Sequence, residues 1–241
     1  MYYHLSDHVY ITHFRDELIL LDTKTDKYTI CFKQFSDLFR NLFERNSASS
    51  SNSKNSTQNS TYIQKLLEDN IIQIKDSPYL FYIDQKLNSD GVSNVDWRLP
   101  LENKKVSFNL QVLKALTTVI KVNFYIKVKG LYPTIQLIKN SRKSHSKYVI
   151  PQAEELSDLA NIVNKACHLY PTRTKCLEWA MTFVLLALKQ KWKCNLEIGV
   201  QNYPFMAHAW VEFDGKVVMD FQHLREGLGI ILNEPFRRVK I

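Results

Sequence analysis

An α+β fold in two units is what this 241-residue sequence predicts. Three observations predict it: β-prone runs near the N-terminus precede amphipathic helices, a long apolar helix opens on Cys176, and short alternating runs closed by a hairpin turn follow it. A hydrophobic share of 45% with 23% charged residues is ordinary for a folded chain of this size. The units are a small module over residues 1–85, a polar linker over 86–105 with Asp90-Gly91 and Leu99-Pro100 as breakers, and a larger domain over 106–241. In that domain helices are expected to pack on an antiparallel sheet.

In the first unit, Val9–Thr12 and Leu18–Leu21 flank the turn-like FRDE, and Lys27–Phe32 adds a third run, so a three-stranded antiparallel start is expected. Ser36 is placed to cap a helix whose Leu38, Phe39, Leu42 and Phe43 share one side. Residues 47–60, nearly all Ser and Asn, are too polar to pack and read as a loop. A second helix, TYIQKLLEDN, and a closing strand pair or wing in IIQIKDSPYLFYI complete a winged-helix-like layout. A DNA-gripping module needs a basic recognition helix, yet this one sets a single Lys against Glu68 and Asp69, so nucleic acid is not the expected partner. Such a sheet can instead take a peptide as an added strand, or act only as a structural cap.

In the second unit, helical stretches cover about 107–120 and 121–139, the latter broken at Gly130 and Pro133. A basic loop spans 140–150, and after Pro151 a helix carries Leu156, Leu159, Ile162, Val163, Ala166 and Leu169 as its apolar stripe. The net charge of +8 divides unevenly, with 9 basic against 11 acidic residues up to residue 85 and 23 against 13 beyond it. An acidic peptide suits that second half as well as a phosphate backbone would. Four scattered cysteines without a CxxC pair, and an N-terminus without a signal-peptide pattern, place the protein in a reducing cytoplasm. Lysines 114, 121, 127 and 129 interrupt the one candidate for a membrane span, although a basic, aromatic helix of this kind can associate with a membrane surface.

Chemistry concentrates between Thr174 and Asp220. Thr174 is read as an N-cap, which puts Cys176 in a first helical turn where free amides, the helix dipole and Lys175 favour thiolate. Alternation in FMAHAWVEF sets Met206, His208, Trp210 and Glu212 on one face of a strand. Asp214-Gly215 then turns the chain so that Phe213 pairs Lys216, Glu212 pairs Val217, Val211 pairs Val218, Trp210 pairs Met219 and Ala209 pairs Asp220. Asp220 thereby falls diagonally beside His208, and the set Cys176, His208, Asp220 has the nucleophile, base and orienter order of a cysteine hydrolase. Each residue alone has a plainer reading as a buried thiol or a core histidine. A zinc site drawing on Cys167, His168 or Cys176 with His208 is a further alternative, although no pair has finger spacing. His223, Cys194 and Cys31 are read as incidental.

The strings CLEWAMTFVLLAL and EIGVQNYPFMAHAWVEFDGKVVMD resemble the core of the lasso-peptide biosynthesis B proteins, leader peptidases of the transglutaminase-like cysteine protease superfamily. The resemblance covers about the last 90 residues, and the N-terminal module is similar in layout to the precursor-recognition element fused to some of these peptidases. It implies Cys176 as nucleophile, His208 as general acid/base and Asp220 as its orienter. It also implies a precursor peptide bound through its leader as an added strand, and an ATP-dependent macrolactam synthetase as partner. No P-loop occurs, so no cofactor is expected on this chain and any ATP role falls to the partner synthetase. The Ser/Asn run at 47–60 looks like an insertion relative to the family. Two other functions fit the same residues: a non-catalytic leader-binding scaffold, and a transglutaminase-like acyltransferase that passes its acyl group to an amine.

Overall fold

Alternating β-branched and aromatic residues build the first half of the molecule. A computed structural model of the chain describes residues 1–44, 56–93 and 106–240. In chain order the first half holds β1 (Tyr2–Leu5), β2 (Val9–Phe14), β3 (Glu17–Asp22), β4 (Lys27–Cys31), α1 (Lys33–Glu44), α2 (Ser56–Glu68), β5 (Ile72–Lys75) and β6 (Gln85–Lys86). The expected meander forms, with β2 antiparallel to β3 and β3 to β4, turned at Arg15 and Asp26 in left-handed conformations.

Several local expectations give way to long-range pairing. The closing strand pair within 71–83 does not form, because β5 pairs antiparallel with β1 at the other end of the module, burying Ile72 opposite Leu5. Tyr79 and Ile83 turn into the core instead. α1 begins at Lys33 rather than after Ser36, whose buried hydroxyl lies 2.8 Å from His13 Nδ1 and ties the helix to β2. Its predicted apolar side is the one that packs, with Leu38, Phe39 and Phe43 buried. Residues 47–55 of the Ser/Asn run and 94–105 of the linker lie outside the described residues, while 56–60, expected in the loop, open α2. Polar residues suit a helix's first turn, where backbone N–H groups have no intrahelical partner.

The second half holds α3 (Leu110–Phe124), a π-helical turn over Tyr125–Lys129, α4 (Leu131–Ser141), α5 (Ala153–Leu169), α6 (Cys176–Lys189), β7 (Asn195–Gln201), β8 (Met206–Phe213), β9 (Lys216–Val218), α7 (Leu224–Gly227) and β10 (Gly229–Glu234). Asn109 caps α3 by accepting from the Val112 N–H at 3.0 Å. The helix break falls at Gly130, whose φ of 85° is costly for other residues, and not at Pro133, which sits in the first turn of α4 where its missing N–H costs nothing. The four-stranded sheet runs β10-β7-β8-β9. β10, absent from the predicted strands, lies at one edge and pairs antiparallel with β7.

One continuous core joins the halves. Tyr10, Phe14, Ile19 and Leu21 of the N-terminal sheet share it with α3, α4, α5, α6 and the inner face of the second sheet. β2 and β10 form the seam. There the Tyr10 hydroxyl donates to Glu234 at 3.0 Å, and the buried Asp84 carboxylate accepts the Ile230 N–H at 2.8 Å. The predicted boundary between residues 85 and 86 falls inside β6, which pairs parallel with β2. Beyond it, Ser89 donates to the Gly227 carbonyl at 2.7 Å and the Val92 N–H donates to Gln201 at 2.7 Å, so the described start of the linker is tied to the second sheet.

Candidate active site

α6 is apolar on nearly every side, and that composition buries it between the second sheet and the other helices. Its start is capped differently from the sequence reading. Lys175, not Thr174, is the N-cap residue, and its N–H donates to the Glu178 carboxylate at 3.1 Å. Glu178 reaches back over the turn, which frees Thr174 from the capping role. Cys176 is the first helical residue and is half-buried.

The hairpin supplies the other two residues. Phe213 with Lys216, Glu212 with Val217 and Val211 with Val218 pair as the two-residue turn dictates. The next two predicted pairs, Trp210 with Met219 and Ala209 with Asp220, do not form, because Met219 takes a left-handed φ of 53° and turns the chain out of the strand. That turn carries Asp220 Oδ2 to 2.7 Å from His208 Nε2. It also leaves the β8 edge open past Val211, and the Ala209 N–H there donates to the Cys176 sulfur, as does the Leu177 N–H. With Nε2 engaged by Asp220, the Nδ1 side of His208 is left for its hydrogen bond with Cys176.

Electrostatics follow this chain of contacts. Burial alone would raise the Cys176 thiol, but the hydrogen bond and charge of His208, together with the two N–H groups, bring it below the ordinary thiol value. Burial alone would lower His208; the hydrogen bonds to Asp220 and Cys176, and the charges behind them, lift it to about 9. Both shifts favour a thiolate–imidazolium pair over a neutral thiol and imidazole. The other thiols go the opposite way by burial: Cys31 is raised, Cys167 is pushed up to about 11 and Cys194 to about 12. Iodoacetamide at pH 7 is therefore expected to alkylate Cys176 well before the other three. His208→Ala should slow that reaction, and peptide mapping reads both results.

Sequence reasoning also passes over several residues at the site. Tyr28 of β4 has its phenol pushed up to about 12 by burial first, then by Asp26 and the Cys176 thiolate, so it lies within electrostatic reach of the sulfur. Its ring packs at 5.2 Å from that of Phe205, in the loop just ahead of β8. That loop is held by Glu17, which accepts from the Tyr203 hydroxyl at 2.5 Å and from Asn202 at 2.8 Å. On the same face of β8 as His208, Trp210 lies 6.1 Å from the His208 ring and donates its indole N–H to the fully buried Glu197 at 2.9 Å. Gly199 makes room for it, since a Cβ there would stand 2.4 Å from the indole. No local pattern flags Tyr28 or Glu197; both act across the fold. The zinc alternative finds no support, as no cluster of three or more His, Cys, Asp or Glu side chains suited to a metal occurs among the described residues. His223 is exposed and bonds Glu226, and Cys194 is buried away in the core.

Comparison with known proteins bears on the same stretch. The microcin J25-processing protein McjB of Escherichia coli is 26% identical over 182 residues, covering 69% of this chain and 84% of that protein. No solved structure matches the chain significantly. Residues 118–233, which include Cys176, His208 and Asp220, match the profile of the Transglutaminase-like superfamily.

Proposed function

We propose that the protein is a cysteine peptidase that removes the leader from a ribosomal precursor peptide during lasso-peptide maturation. The observation that carries this reading is His208 bridging Cys176 and Asp220 at the start of a buried helix. The similarity to a microcin-processing protein supports the choice of substrate class. In the proposed reaction the Cys176 thiolate attacks the carbonyl at the leader–core junction. The oxyanion is met by the Cys176 amide, unpaired at its helix start, and His208 gives its proton to the leaving amine. Water, deprotonated by His208, then releases the acyl group, while Asp220 holds the ring throughout. The freed core amine would pass to an ATP-dependent macrolactam synthetase, to which any use of ATP belongs.

Residues 1–85 are proposed as the winged-helix-like recognition module and 106–241 as the peptidase domain. β4 is the natural place for an added leader strand: it forms one edge of the sheet ordered β4-β3-β2-β6, and its Tyr28 lies within electrostatic reach of the Cys176 sulfur. A leader peptide is therefore expected to slow hydrogen exchange at amides of Lys27–Cys31; unchanged exchange there, with binding confirmed by another method, would remove this recognition surface. The overall reading is tested by incubating the protein with a precursor peptide, with and without the synthetase, and following masses. Release of intact leader and core supports the peptidase, and an amine adduct on the leader's new C-terminus would identify an acyltransferase instead.

A further inference from the structure

α3 is apolar on two opposite faces. Val112, Ala115, Val119 and Val122 are fully buried toward α5 and α6. On the other side, Leu110, Leu113, Ile120 and Phe124 recur with Thr117 at helical spacing, extended by Phe108 before the helix and Val128 after it, and these six apolar residues are 43–65% exposed. A helix on the surface of a water-soluble domain ordinarily presents polar side chains there, so a continuous apolar outer stripe marks a face made to be covered.

Charge indicates what covers it. Residues 106–152 contain seven Lys and one Arg and no Asp or Glu, a local charge equal to the +8 of the whole chain. Lys114 and Lys121, seven residues apart, line one margin of the stripe, and Lys127 and Lys129 follow at its C-terminal end. Among the described residues, Glu155 and Asp158 line with Lys114 a groove on the α5 side, a groove that none of the six apolar stripe residues lines. The outer face is convex, a single helix with long aliphatic and aromatic side chains and Thr117 as its one hydroxyl. A plane can meet such a face without a complementary groove, whereas a protein partner would have to supply one.

We propose that the outer face of α3 docks on an anionic lipid bilayer, its apolar side chains entering below the headgroups and its lysines lying among them. The association is peripheral: among the described residues no helix is long and apolar enough to cross a membrane. The inference is independent of the peptidase reading.

The test is flotation of the full chain with vesicles of phosphatidylglycerol and phosphatidylcholine, against phosphatidylcholine alone. Binding is expected on the anionic vesicles only and should weaken as salt is raised. A Leu113→Gln, Ile120→Gln, Phe124→Gln variant and a Lys121→Glu, Lys127→Glu variant should each bind at least about tenfold more weakly. Both alter exposed positions, so unchanged Cys176 alkylation shows that they remain folded. Absence of flotation, equal binding to neutral vesicles, or variants that bind like the parent would overturn the proposal. So would sedimentation showing a dimer that the glutamine variant dissociates, since the occupant would then be a second copy.

Discussion

Cys176→Ala is expected to abolish precursor cleavage, with a loss on the order of 10⁴-fold or more, because it removes the proposed attacking thiolate. Cys176 is half-buried at the first position of α6 and alanine is only one sulfur atom smaller, so the variant should fold and still bind precursor. Mass spectrometry of the reaction and a binding measurement on the same sample separate the two effects. Cleavage at the parental rate would sink the peptidase assignment. Full loss of binding along with cleavage would point to a folding defect, to be settled with Cys176→Ser. In Asp220→Asn the hydrogen bond to His208 can persist without its charge, so His208 should fall from about 9. Sulfur and imidazole titrate as a pair, and the alkaline limit of kcat/KM should move to lower pH as the imidazolium loses its proton earlier.

Glu197→Ala is expected to be the most damaging single change outside Cys176, His208 and Asp220, costing about 3–5 kcal/mol of stability. Glu197 is completely buried, yet its carboxylate meets Trp210 Nε1 at 2.9 Å, Asn233 Nδ2 at 2.8 Å, Arg225 Nε at 3.0 Å and Arg238 at 2.5 Å. Burial and the neighbouring Glu212 carboxylate push its pKa up to about 7, against the pull of Arg238 and Trp210. Removing it strands two guanidinium groups and the indole N–H. The melting temperature of a domain this size should drop by about 10 °C, and Glu197→Gln, which retains an acceptor for Trp210, should lose less. Since Trp210 lies beside His208 on the same face of β8, Cys176 alkylation at neutral pH should slow in Glu197→Ala even at temperatures where circular dichroism reports a folded chain. Melting curves that overlay the parent's would contradict this account of the network.

How much could be read from residues in order depended on the range of the interaction. The meander of β2–β4, the amphipathic α5, the apolar α6 and the three-pair hairpin register all follow from spacing, because periodicity and a two-residue Asp-Gly turn act over a few residues. The same local rules put Cys176 at a helix start and Asp220 near His208. They erred where a distant partner won, as β5 left its expected hairpin for β1 and Ser36 left its cap for His13, and once locally, where the cap at Cys176 passed from Thr174 to Lys175 with Glu178.

Sequence by itself determined the candidate nucleophile, base and orienter, and the secondary structure that carries them, since side-chain chemistry and short-range periodicity are written in neighbouring residues. Only the tertiary structure decided whether they meet. The left-handed Met219 ends β9 early, which brings Asp220 onto His208 and opens the β8 edge to the Cys176 sulfur. It also decided that Tyr28, nearly 150 residues upstream, comes within electrostatic reach of that sulfur, and that Glu197 holds the indole beside His208. Burial is the physical reason: the pKa shifts at Cys176 and His208 arise from desolvation offset by hydrogen bonds from other strands, and neither exists until the chain has folded.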